Sequence, residues 1–140
     1  MVIERMYADI QIGDKASTSK TISESDIYLF AGITGDFNPV HVNEEFAKES
    51  MFGGRIAHGM MAAGLISSVL GTQLPGVNTI YLGQELNFKA PVRIGDTLTA
   101  TCEVIEKKDP KKIVILKTIV SDSKGNTIIE GKATVLKYEK

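Results

Sequence analysis

Three polar side chains, Asp36, Asn38 and His41, fall within six positions in the segment Phe30-Ala31-Gly32-Ile33-Thr34-Gly35-Asp36-Phe37-Asn38-Pro39-Val40-His41. A carboxylate beside an imidazole is a recurring way to orient a histidine and tune its proton affinity near neutral pH, so Asp36 and His41 form a candidate acid–base pair. Gly35 and Pro39 keep this stretch from being regular helix. Asn38 stands before a proline and is biased to extended backbone, which turns the chain and can bring Asp36 and His41 together. A plainer reading competes here, with Asp36 and Asn38 making Asx turns and His41 a satisfied loop histidine.

A second segment, Arg55-Ile56-Ala57-His58-Gly59-Met60, stands where a strongly apolar helix begins. A helix N-terminus presents unpaired N–H groups and a partial positive charge. Gly59 has no side chain to block approach, so its N–H suits a carbonyl oxygen that gains charge during a reaction. The plain alternative is an ordinary glycine at a helix start, with His58 capping the helix or packing.

These two segments need elements to hold them. Ser23-Glu24-Ser25-Asp26 is a cap-like start for a helix carrying Ile27, Leu29, Phe30 and Ile33 and ending near Gly32–Gly35. Asn43 caps a short helix with acids in its first turn. The third helix runs from about Gly59 to Leu70, with Met60, Met61, Leu65, Ile66, Val69 and Leu70 around its axis, which predicts burial on most sides. Beyond Pro75-Gly76 the period changes. Val77 to Phe88, Thr97 to Val104, Ile113 to Val120 and Thr127 to Tyr138 read as strands, with turns at Gly95-Asp96 and over residues 121–126. Alternation puts Leu98, Ala100, Cys102 and Val104 on one face. The implied class is α+β, an antiparallel sheet wrapped around one helix.

Composition narrows the function classes. The chain has 140 residues, 43% hydrophobic and 24% charged, which suits one globular domain over 1–140. With 16 basic against 17 acidic residues, the net charge is −1, a poor match to nucleic-acid binding. The densest basic group, Lys107, Lys108, Lys111 and Lys112 around Asp109-Pro110, reads as a solvated hairpin turn. Cys102 is the single cysteine and excludes an intrachain disulfide. No apolar run resembles a secretory signal or reaches the ~20 residues of a membrane span, so a cytoplasmic protein away from membranes is expected. His41, His58 and Cys102 lack compact ligand spacing, so no metal is expected.

Together the two segments resemble a known family. Asp36-Phe37-Asn38-Pro39-Val40-His41, preceded by Thr34-Gly35 and followed by Ala47, is similar to the signature of the (R)-specific enoyl-CoA hydratases, the MaoC-like or hydratase 2 proteins of the hotdog-fold superfamily. Ala57-His58-Gly59-Met60 and the run from Tyr81 to Asp96 resemble that family too. The resemblance implies a hotdog fold around the helix from Gly59 to Leu70, and a homodimer or higher homo-oligomer. It implies reversible addition of water to a trans-2-enoyl-CoA, giving the (R)-3-hydroxyacyl-CoA, with no cofactor. Asp36 and His41 become the catalytic dyad in either division of labour, and the Gly59 N–H the oxyanion donor. Asn38, Ser67 and His58 become supporting or substrate-binding residues, with Asn38 holding the loop. Arg55 and Lys89 are candidates to meet the CoA phosphates.

Two other functions share the fold. An acyl-CoA thioesterase generally works through a lone Asp or Glu, which the Asp36/His41 pair matches less well. A non-catalytic acyl-thioester-binding module is expected to lack the dyad or to carry an added DNA-binding segment. Acyl-chain length, and CoA against acyl-carrier protein as carrier, are not readable. Ala62, Ala63 and Gly64 either open space for the chain or let helix and sheet approach closely.

Overall fold

The computed structural model describes residues 1–140. Strict alternation from Thr97 produces the longest strand, β4 (Thr97–Lys108), whose Leu98, Ala100, Cys102 and Val104 are buried. The β-branched run after it forms β5 (Ile113–Asp122), and the last strand is β6 (Thr127–Lys137). Turn chemistry joins these two as the sequence predicts. Asp122 Oδ1 accepts the N–H groups of Lys124 and Asn126, both at 2.9 Å, and Gly125 takes a φ of 84°.

Two further segments depart from expectation. β1 (Lys15–Thr21) is a polar segment with no apolar period to announce it. It pairs antiparallel with β4, and its outer hydroxyls meet those of the partner strand, Ser19 with Thr99 and Thr21 with Thr97, each at 2.7 Å. The stretch expected as one strand from Val77 to Phe88 is two, β2 (Thr79–Gln84) and β3 (Asn87–Phe88), both paired with β6. The break comes where the chain crosses Gly131 of β6, a position at which any Cβ would collide with the Glu85 carbonyl. The sheet order is β1-β4-β5-β6-β2, all antiparallel.

The lysine cluster at the β4–β5 hairpin is only partly a solvated turn. Lys108 and Lys111 are exposed, but Lys107 Nζ donates to the carbonyls of Tyr7 and Ile10 at 3.1 and 2.7 Å. Lys112 pairs with Glu139 at 3.0 Å. These two brace the ends of the chain against the sheet.

The first helix, α1 (Glu24–Thr34), starts at the expected cap. Ser23 Oγ accepts the Asp26 N–H, and the Asp26 carboxylate accepts the Ser23 N–H. Gly35 ends it with a φ of 78°, a left-handed conformation natural to glycine. Ile27 and Ala31 face the core, whereas Leu29 and Ile33 lie exposed. Two short helices follow, α2 (Pro39–Val42) and α3 (Glu44–Lys48), the latter capped by Asn43 as its sequence predicts. The long apolar helix is α4 (Gly59–Thr72).

The sheet curls around α4, which is the hotdog arrangement, and Ala62, Ala63, Ile66, Val69 and Leu70 form the buried side of that helix. Burial on most sides is corrected, however. Met60, Gly64, Ser67, Ser68 and Gly71 make an exposed stripe down the opposite side. The sheet covers one face only, and the residues left outside are mostly small. No helix is long and apolar enough to cross a membrane.

Candidate functional site

Gly35 releases the chain from α1, and the next residues form a tight, self-bonded bend. Thr34 Oγ1 accepts the Asp36 N–H at 3.2 Å, an Asp36 carboxylate oxygen accepts the Asn38 N–H at 3.2 Å, and Asn38 Oδ1 accepts the Val40 N–H at 3.2 Å. Asn38 is extended, with a ψ of 124°, as a residue before proline should be. Pro39 then serves as the first residue of α2, where its missing N–H costs nothing and its fixed φ suits the turn. The expectation that Pro39 keeps the segment irregular therefore holds up to Asn38 and fails after it. His41 rides on this short helix and is nearly buried, while Asp36 stays exposed.

The Asx-turn reading and the acid–base reading prove compatible. His41 Nδ1 lies 2.8 Å from the Ile56 carbonyl oxygen. A carbonyl can only accept, so Nδ1 carries the hydrogen and the Nε2 lone pair of the neutral ring is free. A carboxylate oxygen of Asp36 and one ring nitrogen each of His41 and His58 all lie within 4.8 Å of one another. That matches the span of a single bridging water, since two hydrogen bonds of about 2.8 Å meeting at a tetrahedral angle reach about 4.6 Å.

His58 is the residue just before α4, yet its side chain does not cap the helix. Instead its Nε2 donates to the Asp36 backbone carbonyl at 2.9 Å, and its ring stacks on that of His41 with centroids 3.9 Å apart. Phe30 closes the other side at 4.7 Å. The capping reading of His58 is thus replaced by a packing and hydrogen-bonding one. At the helix start the Met61 and Ala62 N–H groups bond the His58 carbonyl at 3.1 and 3.4 Å, whereas the Gly59 N–H, the first of α4, has no carbonyl a turn earlier to bond.

His41 and Gly59 both line a cavity of about 550 Å³ whose other walls include Ile56, Met60, Phe88 and Val92. Phe88 packs against Gly59, close enough that a Cβ there would stand 2.8 Å from its Cδ1 and Cε1 atoms. Lys89 sits at the same cavity, 3.4 Å from Glu130. A second cavity of about 370 Å³ continues past Met60, which lines both, to Gly64, Ser67 and Tyr81. Ser67 is therefore not beside Asp36 and His41. It lies about 12 Å further along the helix axis from Gly59, at 1.5 Å per residue. Ala63 and Gly64 border this second space, whereas Ala62 packs into the core.

Asp36, His41 and His58 form a closer trio than their sequence spacing suggests, so the claim that the histidines lack a compact arrangement is corrected. Their directions nevertheless suit a metal poorly. The two rings are inclined by only 30° with centroids 3.9 Å apart. Lone pairs in such nearly parallel planes converge well beyond a metal–nitrogen bond of about 2.0–2.1 Å.

Arg55 is corrected more sharply. Its side chain is only 9% exposed and is committed inward, Nη1 to Glu24 at 2.6 Å and Nε to the His41 carbonyl at 2.7 Å. It is not free to meet a phosphate, which leaves Lys89 of the two candidates. The hydrogen bond from Arg55, with a second from Tyr28, holds the Glu24 carboxyl below its ordinary range, and Glu24 in turn holds the guanidinium above its own. The residue that reading the sequence missed is Ile56. It acts through its backbone carbonyl, which no side-chain pattern reveals.

Comparison with known proteins agrees with this geometry. The chain is 55% identical to an (R)-specific enoyl-CoA hydratase of Rhodospirillum rubrum over 135 residues, covering 96% of this chain and 93% of that one. An unliganded R-hydratase from Pseudomonas aeruginosa superposes with a TM-score of 0.90 at 43% identity, over 96% of this chain and 86% of its own. An (R)-hydratase from A. caviae involved in PHA biosynthesis gives a TM-score of 0.88 at 41% identity, over 91% and 97%. Residues 9–124 match the MaoC like domain, a span holding the bend, the histidine pair and the start of α4, and the chain belongs to that family.

Proposed function

We propose that the protein is an (R)-specific enoyl-CoA hydratase, a lyase that adds water reversibly to a trans-2-enoyl-CoA and yields the (R)-3-hydroxyacyl-CoA. The observation that carries this reading is an apolar cavity lined by both His41 and the uncapped helix start at Gly59, with an Asp36 carboxylate oxygen within 4.8 Å of a His41 ring nitrogen. Hydration needs a water aimed at C3 and relieved of a proton, a proton delivered to C2, and an acceptor for the charge that reaches the thioester oxygen between those events.

His41 Nε2 is the base, because Nδ1 is occupied as a donor to Ile56. It takes a proton from the water held between it and Asp36 as the water oxygen bonds to C3. The displaced electron pair moves to the thioester oxygen, where the Gly59 N–H and the α4 dipole meet it. Asp36 shares the proton with His41 and passes it to C2 as the thioester re-forms. The pair ends in the charge state in which it began, and it titrates as one unit. Asn38 supports this by fixing the bend through its bond to Val40, and His58 by holding the Asp36 backbone.

The acyl chain runs from the first cavity past Met60 towards Gly64 and Ser67, and Lys89 meets the CoA phosphates at the mouth. The domain over 1–140 works as a homodimer. The unpaired edge of β2, with Ile80 and Leu82 exposed, and the uncovered stripe of α4 are the surfaces that a second copy suits. A buried lone cysteine fits a reducing compartment, and we place the reaction in the cytoplasm.

The test is a hydration assay on a trans-2-enoyl-CoA, following loss of the conjugated thioester absorbance, free thiol and product chirality. Wild type removes the absorbance without releasing thiol and gives the (R) product. Asp36→Asn and His41→Ala each lower kcat by about 10² or more while staying folded. Thiol release would make the protein a thioesterase, and an unimpaired Asp36→Asn would remove the dyad.

A further inference from the structure

Arg55 is tied to three helices at once. Its backbone N–H donates to Glu44 of α3 at 3.3 Å, its Nε to the His41 carbonyl of α2 at 2.7 Å, and its Nη1 to Glu24 of α1 at 2.6 Å. The guanidinium also lies over the Tyr28 ring, 5.1 Å from its centroid. The next residue, Ile56, donates its N–H to the Val40 carbonyl at 3.2 Å and receives the His41 Nδ1 hydrogen at 2.8 Å. Ala57 then donates to Val92 at 2.8 Å, which anchors the segment to the cavity wall. The His41 ring and the His41 backbone are therefore held from opposite ends by consecutive residues.

We propose that Arg55 is a positioning residue for His41, setting the backbone of α2 against α1 so that the imidazole meets Ile56 in one tautomer and presents Nε2 to the cavity. This rests on the hydratase reading of His41 as the base. A guanidinium is needed because two separate nitrogens in a fixed plane must reach His41 and Glu24 together while the plane stacks on Tyr28, and a lysine offers one nitrogen. Arg55 Nη2 is buried without any partner. That unpaired donor costs stability, against which stand the bonds of Nε to His41 and Nη1 to Glu24. The charge attraction to Glu24 is secondary to their hydrogen bond, since that carboxylate is more than half exposed and screened by solvent.

The experiment compares wild type, Arg55→Lys and Glu24→Gln, each checked for folding by circular dichroism and thermal melting. In Arg55→Lys, kcat falls about tenfold or more with KM changed by less than about threefold, because a small misplacement of the base costs turnover rather than binding. Raising the pH does not restore it, since orientation rather than protonation is lost. In ¹⁵N spectra of the histidines, wild-type His41 is a single Nδ1–H tautomer and Arg55→Lys shows a mixture. Glu24→Gln, which keeps the bond to His41, stays within about threefold of wild type. Wild-type kcat with a single tautomer in Arg55→Lys overturns the proposal, as does a loss in both variants that merely follows their melting temperatures. If wild type hydrates no enoyl thioester, the functional reading fails, and the tautomer comparison still decides the role of Arg55.

Discussion

The His58 ring lies on the His41 ring with centroids 3.9 Å apart, and the same His58 donates from Nε2 to the backbone of Asp36. One side chain thus touches both members of the proposed dyad and also stands immediately before Gly59. Its Nδ1 is buried and makes no hydrogen bond to another group of the protein. His58→Phe keeps the stacking surface and volume but loses the bond to Asp36. We expect a folded protein with kcat lowered about tenfold and KM nearly unchanged, measured on a trans-2-enoyl-CoA.

Gly59 and Phe88 are matched in shape. A Cβ on Gly59 would lie 2.8 Å from the Phe88 ring. Gly59→Ala therefore has to displace Phe88 or tilt the helix start. The expected loss in kcat is about tenfold or more, the scale of disturbing an oxyanion donor. In Gly59→Ala/Phe88→Leu the smaller side chain makes room and activity partly returns. The coupling is read from a double-mutant cycle in kcat/KM.

Gly64 borders the second cavity, and a Cβ there meets nothing within 4 Å. Gly64→Leu should consequently fold and fill space beside α4. Its effect grows with acyl length, with kcat/KM for a long-chain enoyl-CoA falling about tenfold more than for a four-carbon one. The check is a chain-length series on the purified variant. Equal losses at every length would remove the acyl chain from this cavity.

Cys102 is fully buried in β4, and that burial pushes its thiol from an ordinary 9.0 up to about 12. Folding therefore favours the neutral thiol. The stabilisation is complete below pH 9 and is lost as pH rises towards 12, because the unfolded chain then releases a proton that the folded chain keeps. We expect midpoints of urea unfolding to fall across that alkaline window, and less steeply in Cys102→Ala. In the native protein at pH 8 an alkylating reagent leaves Cys102 unmodified by mass spectrometry, and in urea it reacts.

Ser23 and Asp26 close the first turn of α1 reciprocally. Ser23→Ala should cost about 1 kcal/mol of stability in chemical unfolding, the usual worth of an N-cap, with kcat retained.

Some of this was legible in residue order and some was not. The Ser23 and Asn43 caps, the Asp122 turn and the buried face of β4 all follow from contacts a few residues apart, so local pattern was enough. The polar strand β1 was silent because its partner, β4, supplies the reason for it to be extended. The stripe of Met60, Gly64 and Ser67 was misjudged because an apolar, small-residue helix looks the same whether the sheet covers it or stops short. At the site, Asp36, Asn38 and His41 announced themselves by spacing. The inward turn of Arg55 and the carbonyl of Ile56 did not, since both depend on the bend folding back across many residues.

Every polar group assigned to the reaction is delivered by the chain between Asp36 and Gly59, whereas the strands bring Phe88 and Ile128 to the cavity as hydrocarbon. Strand wall residues away from Gly59, Ile128 among them, can therefore be exchanged without replacing a reacting group, and such exchanges retune which molecules are admitted.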